Sequence, residues 1–136
     1  MLIIRNKQME AMGAARAAPF IQEMLSRIRQ RWPQQYDHLG EEGARQSVLA
    51  AITAGERYGL DEPEQLVSYI TAMYTLDDHD FDQSPWASEI LESAKMDGGL
   101  KMICIEDVVE QKVEEAEQEA ESRREAEESL QAAEQP

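Results

Sequence analysis

The stretch Tyr74–Trp86, YTLDDHDFDQSPW, places Asp77, Asp78, His79, Asp80 and Asp82 within six positions and closes on Ser-Pro-Trp. Three readings compete for it: a calcium-binding helix-loop-helix, an acidic catalytic centre, or a polar bend between two helices. Counted from Asp78, oxygen-bearing side chains fall at positions 1, 3, 5 and 7 (Asp78, Asp80, Asp82, Ser84) and Glu89 falls at position 12, the ligand order of a calcium loop. Position 6 of such a loop takes a glycine for its sharp turn, but Gln83 stands here, and Pro85 at position 8 starts a helix inside the loop. Catalysis asks for a carboxylate or imidazole held in a partly buried pocket, and consecutive aspartates on a turn carry no sign of burial. The bend needs only ordinary turn chemistry. Aspartate side chains bond to nearby backbone amides, and acids ahead of a helix N-terminus meet the positive end of its dipole. Phe81 and Trp86 then pin the bend to the core, leaving Asp77, Asp78, Asp80 and Asp82 as an exposed acidic rim.

Helices are expected on both sides of this bend. Upstream, DEPEQLVSYITAMYTL begins with Asp61 as candidate N-cap and Glu64 three residues on, the spacing of a capping box, and sets Leu66, Ile70, Met73 and Tyr74 on one face. Downstream, Ser84-Pro85 reads as N-cap and first-turn proline of a short helix through Trp86, Ile90 and Leu91. Before these, EEGARQSVLAAITAGERYG carries Val48, Leu49, Ile52 and Tyr58 along one stripe and stops at Gly59, a left-handed cap. Phe20, Met24, Leu25, Ile28 and Trp32 make an amphipathic helix that Pro19 starts or kinks and Trp32-Pro33 ends, with QQYDHLG as the loop that follows. A last apolar run, Leu100, Ile103, Ile105, Val108, Val109 and Val113, follows Asp97-Gly98-Gly99. No alternating β-branched segment is bounded by hairpin turns. The expected fold is all-α: a single compact domain of about five helices over residues 1–105, then an acidic tail over 106–136, helical or disordered.

Charge is distributed unevenly. The chain has 28 acidic and 13 basic residues in 136, and 12 of the acids lie from Glu106 onward against Lys112, Arg123 and Arg124. Such a chain offers no basic face for phosphate backbones or for an anionic membrane surface, so neither nucleic acid nor membrane is an expected partner. A single cysteine, Cys104, excludes an intrachain disulfide and a multi-cysteine zinc site. With no signal-peptide core and no run of membrane-spanning length, the expectation is a cytoplasmic, soluble protein. Length alone bounds the chain to one domain with a modest core.

Chemistry-bearing motifs are scarce. His38 and His79 lie in no metalloprotease pattern, and no phosphate loop, nucleophile elbow or paired-cysteine motif occurs. His79 reads as a solvated loop residue, and Cys104, between Ile103 and Ile105, as a small core residue. No enzyme, cofactor or metal is expected. Of the seven methionines, Met24 and Met73 fall on helix stripes, whereas Met9 and Met12, with Leu2, Ile3 and Ile4, make an N-terminal apolar patch suited to a protein partner. In the tail, Val109, Val113, Ala116 and Ala120 trace a coiled-coil seam that breaks at Arg123 and Glu127, too weak to specify a homodimer.

MLIIRNKQMEAM, QRWP, ERYGL, YITAMYTL, DFD and PWASEIL together resemble the small helical proteins encoded beside spike-tip, effector and chaperone genes of bacterial type VI secretion systems. The likeness spans residues 1–102 and leaves out the acidic tail. In that family the loop carries a short insertion before Pro-Trp-Ala; here Gln83-Ser84 leads straight into Pro85. The resemblance implies an adaptor or co-chaperone that assists effector loading, with an effector, its chaperone or a spike protein as partner. It carries no catalytic residues to transfer. Composition alone favours a different role, an immunity protein that neutralises a basic toxin by direct binding.

Overall fold

The computed structural model describes residues 14–134, so Leu2, Ile3, Ile4, Met9 and Met12 lie outside the described residues. Five α-helices and one 3-10 turn make up the described chain, with no strand among them. They are α1 (Ala14–Arg31), α2 (Pro33–Tyr58), α3 (Pro63–Thr75), α4 (Pro85–Leu91) and α5 (Gly98–Glu134). The 3-10 turn, Phe81–Gln83, sits between α3 and α4. The all-α, single-domain expectation holds.

One core serves all five helices. Ile28 from α1, Val48 and Ala51 from α2, Ile70 and Met73 from α3, Leu91 from α4 and Ile105 from α5 are all at most 1% exposed. Each large apolar side chain buried this completely contributes roughly 1.5–3 kcal/mol relative to exposure. Pro19 does not start α1, which reaches back to Ala14. The segment expected as the loop QQYDHLG is helical as well: α2 starts at Pro33 and bends at Gly40, with φ 76° and ψ 168°. Side-chain-bearing residues rarely adopt that backbone, so Gly40 is where the helix changes direction. The polar loop composition misled because Gln35, Tyr36 and Leu39 are half-buried against neighbours distant in sequence.

Gly59 caps α2 as expected, in the left-handed region at φ 75°. The Leu60 amide donates to the Gly55 carbonyl at 2.7 Å, closing a Schellman turn and folding buried Leu60 over Gly55. A methyl group at Gly55 would stand 2.5 Å from Leu66 Cδ2. The N-cap of α3 is Glu62 rather than Asp61, because Pro63 takes the first helical position, and the Glu62 amide donates to Gln65 Oε1 at 3.3 Å. In α5, Asp97 Oδ1 accepts from the Leu100 amide at 2.9 Å, and the packed face is Met102, Ile105 and Val109. Leu100 and Ile103, the first members of the expected apolar run, are instead 46% and 63% exposed. Lys101 takes an inward position instead and donates from Nζ to the Tyr58 carbonyl at 2.9 Å, capping the end of α2. The last side chain of α5 packed on the core is Val113, so the division drawn at residue 105 falls within this helix.

Candidate functional site

The bend at 77–83 is built from the end of α3 outward. The Asp77 amide donates to the Tyr74 carbonyl at 3.2 Å and the Asp78 amide to the Met73 carbonyl at 3.0 Å. That is the Schellman pattern again, with Asp77 at φ 52° in the position usually held by glycine. Among side-chain-bearing residues, aspartate and asparagine tolerate this region best. Asp78 Oδ1 accepts from the Asp80 amide at 3.0 Å, and the 3-10 turn follows, with the Gln83 amide donating to the Asp80 carbonyl at 2.9 Å. Ser84 then caps α4 through its backbone carbonyl, which accepts from the Ser88 amide at 2.9 Å, with Pro85 at the first helical position.

Aromatic rings anchor both ends of the bend. Phe81 is buried, 4.9 Å from the Tyr69 ring and 6.0 Å from that of half-buried Trp86. Tyr74, also buried, stacks on Trp32 at 5.2 Å and meets the His79 ring at 4.8 Å. Its hydroxyl lies 2.6 Å from Ser47 Oγ, and its carbonyl accepts from Gln35 Nε2 at 3.0 Å. Burial raises the Tyr74 phenol above its ordinary range, with the Ser47 hydrogen bond opposing. Thus α2, and Trp32 at its junction with α1, brace the end of α3 from which the aspartates project. His79 is half-buried against Tyr74 rather than solvated, a placement its polar neighbours did not signal.

The four aspartates divide into two kinds. Asp77, Asp78 and Asp80 are exposed. Asp82 turns inward, where Oδ2 accepts from the Tyr58 hydroxyl at 2.9 Å and from Gln83 Nε2 at 3.3 Å. Burial and the Asp82 carboxylate together push the Tyr58 phenol up to about 12. The Tyr69 phenol is raised too, first by burial and then by Asp82. Hence Asp82 ties the bend to α2, and the charge facing solvent is that of its three neighbours. Among the described residues, no three His, Cys, Asp or Glu side chains converge as a metal site would require. Cys104, read as a core residue, is half-buried with its Sγ 3.9 Å from Met96 Sδ.

Elsewhere, a groove of about 360 Å³ between α1 and α2 is lined by Ala18, Ile21 and Leu49, with Glu42 and Arg45 3.8 Å apart at its rim. No described helix is long and apolar enough to cross a membrane. Fold and site together define an all-α domain that presents a braced acidic turn. Comparison with protein-family models, curated proteins and solved structures finds no match to this chain.

Proposed function

We propose that this chain is a non-enzymatic protein-interaction module, an adaptor or co-chaperone for effector loading in type VI secretion, acting in the bacterial cytoplasm. One observation carries the interaction reading. Asp77 and Asp78 stand at the C-terminal end of α3, and Asp80 follows closely, all three exposed. The C-terminal end of a helix carries partial negative charge, so the Asp77 and Asp78 carboxylates cost about 0.3–1 kcal/mol each. Asp80 leads into the 3-10 turn and escapes that cost, but repulsion among the three carboxylates remains. Asparagine would supply the same turn geometry without that cost. Charge retained against local stability is the mark of a residue selected for something other than folding. Held on a rigid bend, it suits electrostatic matching to a cationic partner surface.

The secretion assignment rests on the resemblance in residues 1–102, and Leu2, Ile3, Ile4, Met9 and Met12 belong to the proposed interface on sequence grounds. The test is co-purification with the co-encoded effector, chaperone and spike protein at low salt. Recovery of one of them, weakened as salt rises, supports the adaptor; recovery of none contradicts it. The net charge of −15 favours a second reading, an immunity protein against a basic toxin. Deletion that abolishes secretion but leaves cells resistant to the effector supports the adaptor, and protection of cells by this chain alone supports the immunity protein.

A further inference from the structure

A second surface, separate from the aspartate turn, runs along the seam between α3 and α5. There a groove of about 330 Å³ has a floor of Ala72, Val109 and Val113. Its α3 wall is small and neutral, formed by Ser68, Thr71 and Thr75, with the Thr71 hydroxyl already donating to the Val67 carbonyl at 2.8 Å. Its α5 wall is a row of carboxylates one helical turn apart: Glu106, Glu110 and Glu114. None of the three pairs with a cation among the described residues. Lys112, the basic residue closest in sequence, is turned to the Trp86 ring at 5.3 Å.

Two parallel walls with small side chains on one side and an apolar floor form a seat for a third helix, because small residues let helix axes approach closely. The carboxylate row then fixes the chemistry of its occupant. We propose that the α3–α5 groove docks an amphipathic helix of a partner protein, one with a narrow apolar stripe and Lys or Arg along a single flank. The stripe sits on Ala72, Val109 and Val113, and the basic flank pairs with Glu106, Glu110 and Glu114. A neutral or acidic flank faces Ser68, Thr71 and Thr75. A second copy of this strongly acidic chain is a poor occupant, since its own helix would bring like charge to the carboxylate wall.

The test uses the full chain and a designed helical peptide of about 14 residues, roughly 21 Å long, with a Leu/Ala stripe and Lys on one flank. Backbone-amide NMR at low salt is expected to show shifts centred on Thr71, Ala72, Val109 and Val113. Glu106→Lys, Glu110→Lys and Glu114→Lys together should weaken binding about tenfold or more, as should replacing the peptide's Leu by Ser at constant charge. If the Lys variant loses helical circular dichroism, the corresponding Gln variant carries the same test, with a smaller expected loss. Equal binding of the two peptides, with shifts spread over the tail beyond Glu114, would overturn the proposal as mere charge attraction. Shifts confined to Asp77–Asp82, no binding at low salt, or a free chain that sediments as a dimer with this groove covered would overturn it too. Shifts confined to Asp77–Asp82 would at the same time support a cationic partner at the aspartate turn, and the other outcomes leave that reading untouched.

Discussion

Asp77 shows how far one residue can depart from the locally favoured choice. It occupies a left-handed position that glycine fills without strain. Asp77→Gly is therefore expected to leave stability unchanged or raise it by up to about 1 kcal/mol, while β-branched Asp77→Val lowers it by about 1–2 kcal/mol. Urea denaturation of the two variants measures the difference, and equal losses in both would refute the assignment. Asp82, five residues on, acts through Tyr58. Because the folded-state phenols of Tyr58, Tyr69 and Tyr74 all lie above their ordinary value of 10, their stabilising share is complete below pH 10. Above it the unfolded chain releases phenolic protons that the folded chain keeps, so stability falls as pH rises, for Tyr58 until it passes about 12. Urea midpoints between pH 9 and 12 should be level at first and then drop, each such tyrosine adding at most about 1.4 kcal/mol per pH unit. A profile level to pH 12 would contradict this.

Among the helices, the features readable in the sequence are those set by neighbouring residues. Gly59 and the Ser84-Pro85 pair declare a stop and a start through their own backbone limits, and the structure has both. The cap of α3 falls one residue later than the capping-box spacing indicates, because Asp61 and Glu62 both have side chains that can cap and only the preference of Pro63 for the first helical position separates them. The face of α5 was harder to read. Leu100 and Ile103 are as apolar as Met102 and Ile105, so periodicity alone does not choose between overlapping stripes, and contact with α3 does. Lys101 was not foreseeable at all, since lysine is normally at the surface and its partner lies 43 residues away. Lys101→Met keeps the bulk and removes the ammonium, leaving the Tyr58 carbonyl without that donor. A loss of about 1–3 kcal/mol in chemical denaturation is expected, and an unchanged midpoint would show that the bond contributes nothing.

At the scale of the whole molecule, the chain is a packed body that ends, energetically, at Val113, with a charged helix continuing to Glu134. Side chains from Glu114 to Ala133 are exposed without exception. Removing residues 119–136 should therefore leave the melting temperature within about 2 °C while reducing helical circular dichroism, because surface changes away from packed contacts are small. Loss of a cooperative melt would mean that the tail supports the body. The aspartate bend was legible as a helix connector with an acidic rim. The inward turn of Asp82 was not, because it depends on Tyr58 arriving from another helix.

What separates a structural bend from a displayed one is whether its charge helps or harms the fold. Asp77→Asn, Asp78→Asn and Asp80→Asn, combined in one variant, remove three negative charges while asparagine keeps the Oδ1 acceptor at position 78 and the tolerance of left-handed backbone at position 77. The variant and the unaltered chain are melted in parallel and then assayed for co-purification with the co-encoded effector, chaperone and spike protein at low salt. The account predicts equal or higher thermal stability together with loss of the partner that the unaltered chain retains. A variant that melts lower, or one that holds the partner as well as the unaltered chain does, would contradict it.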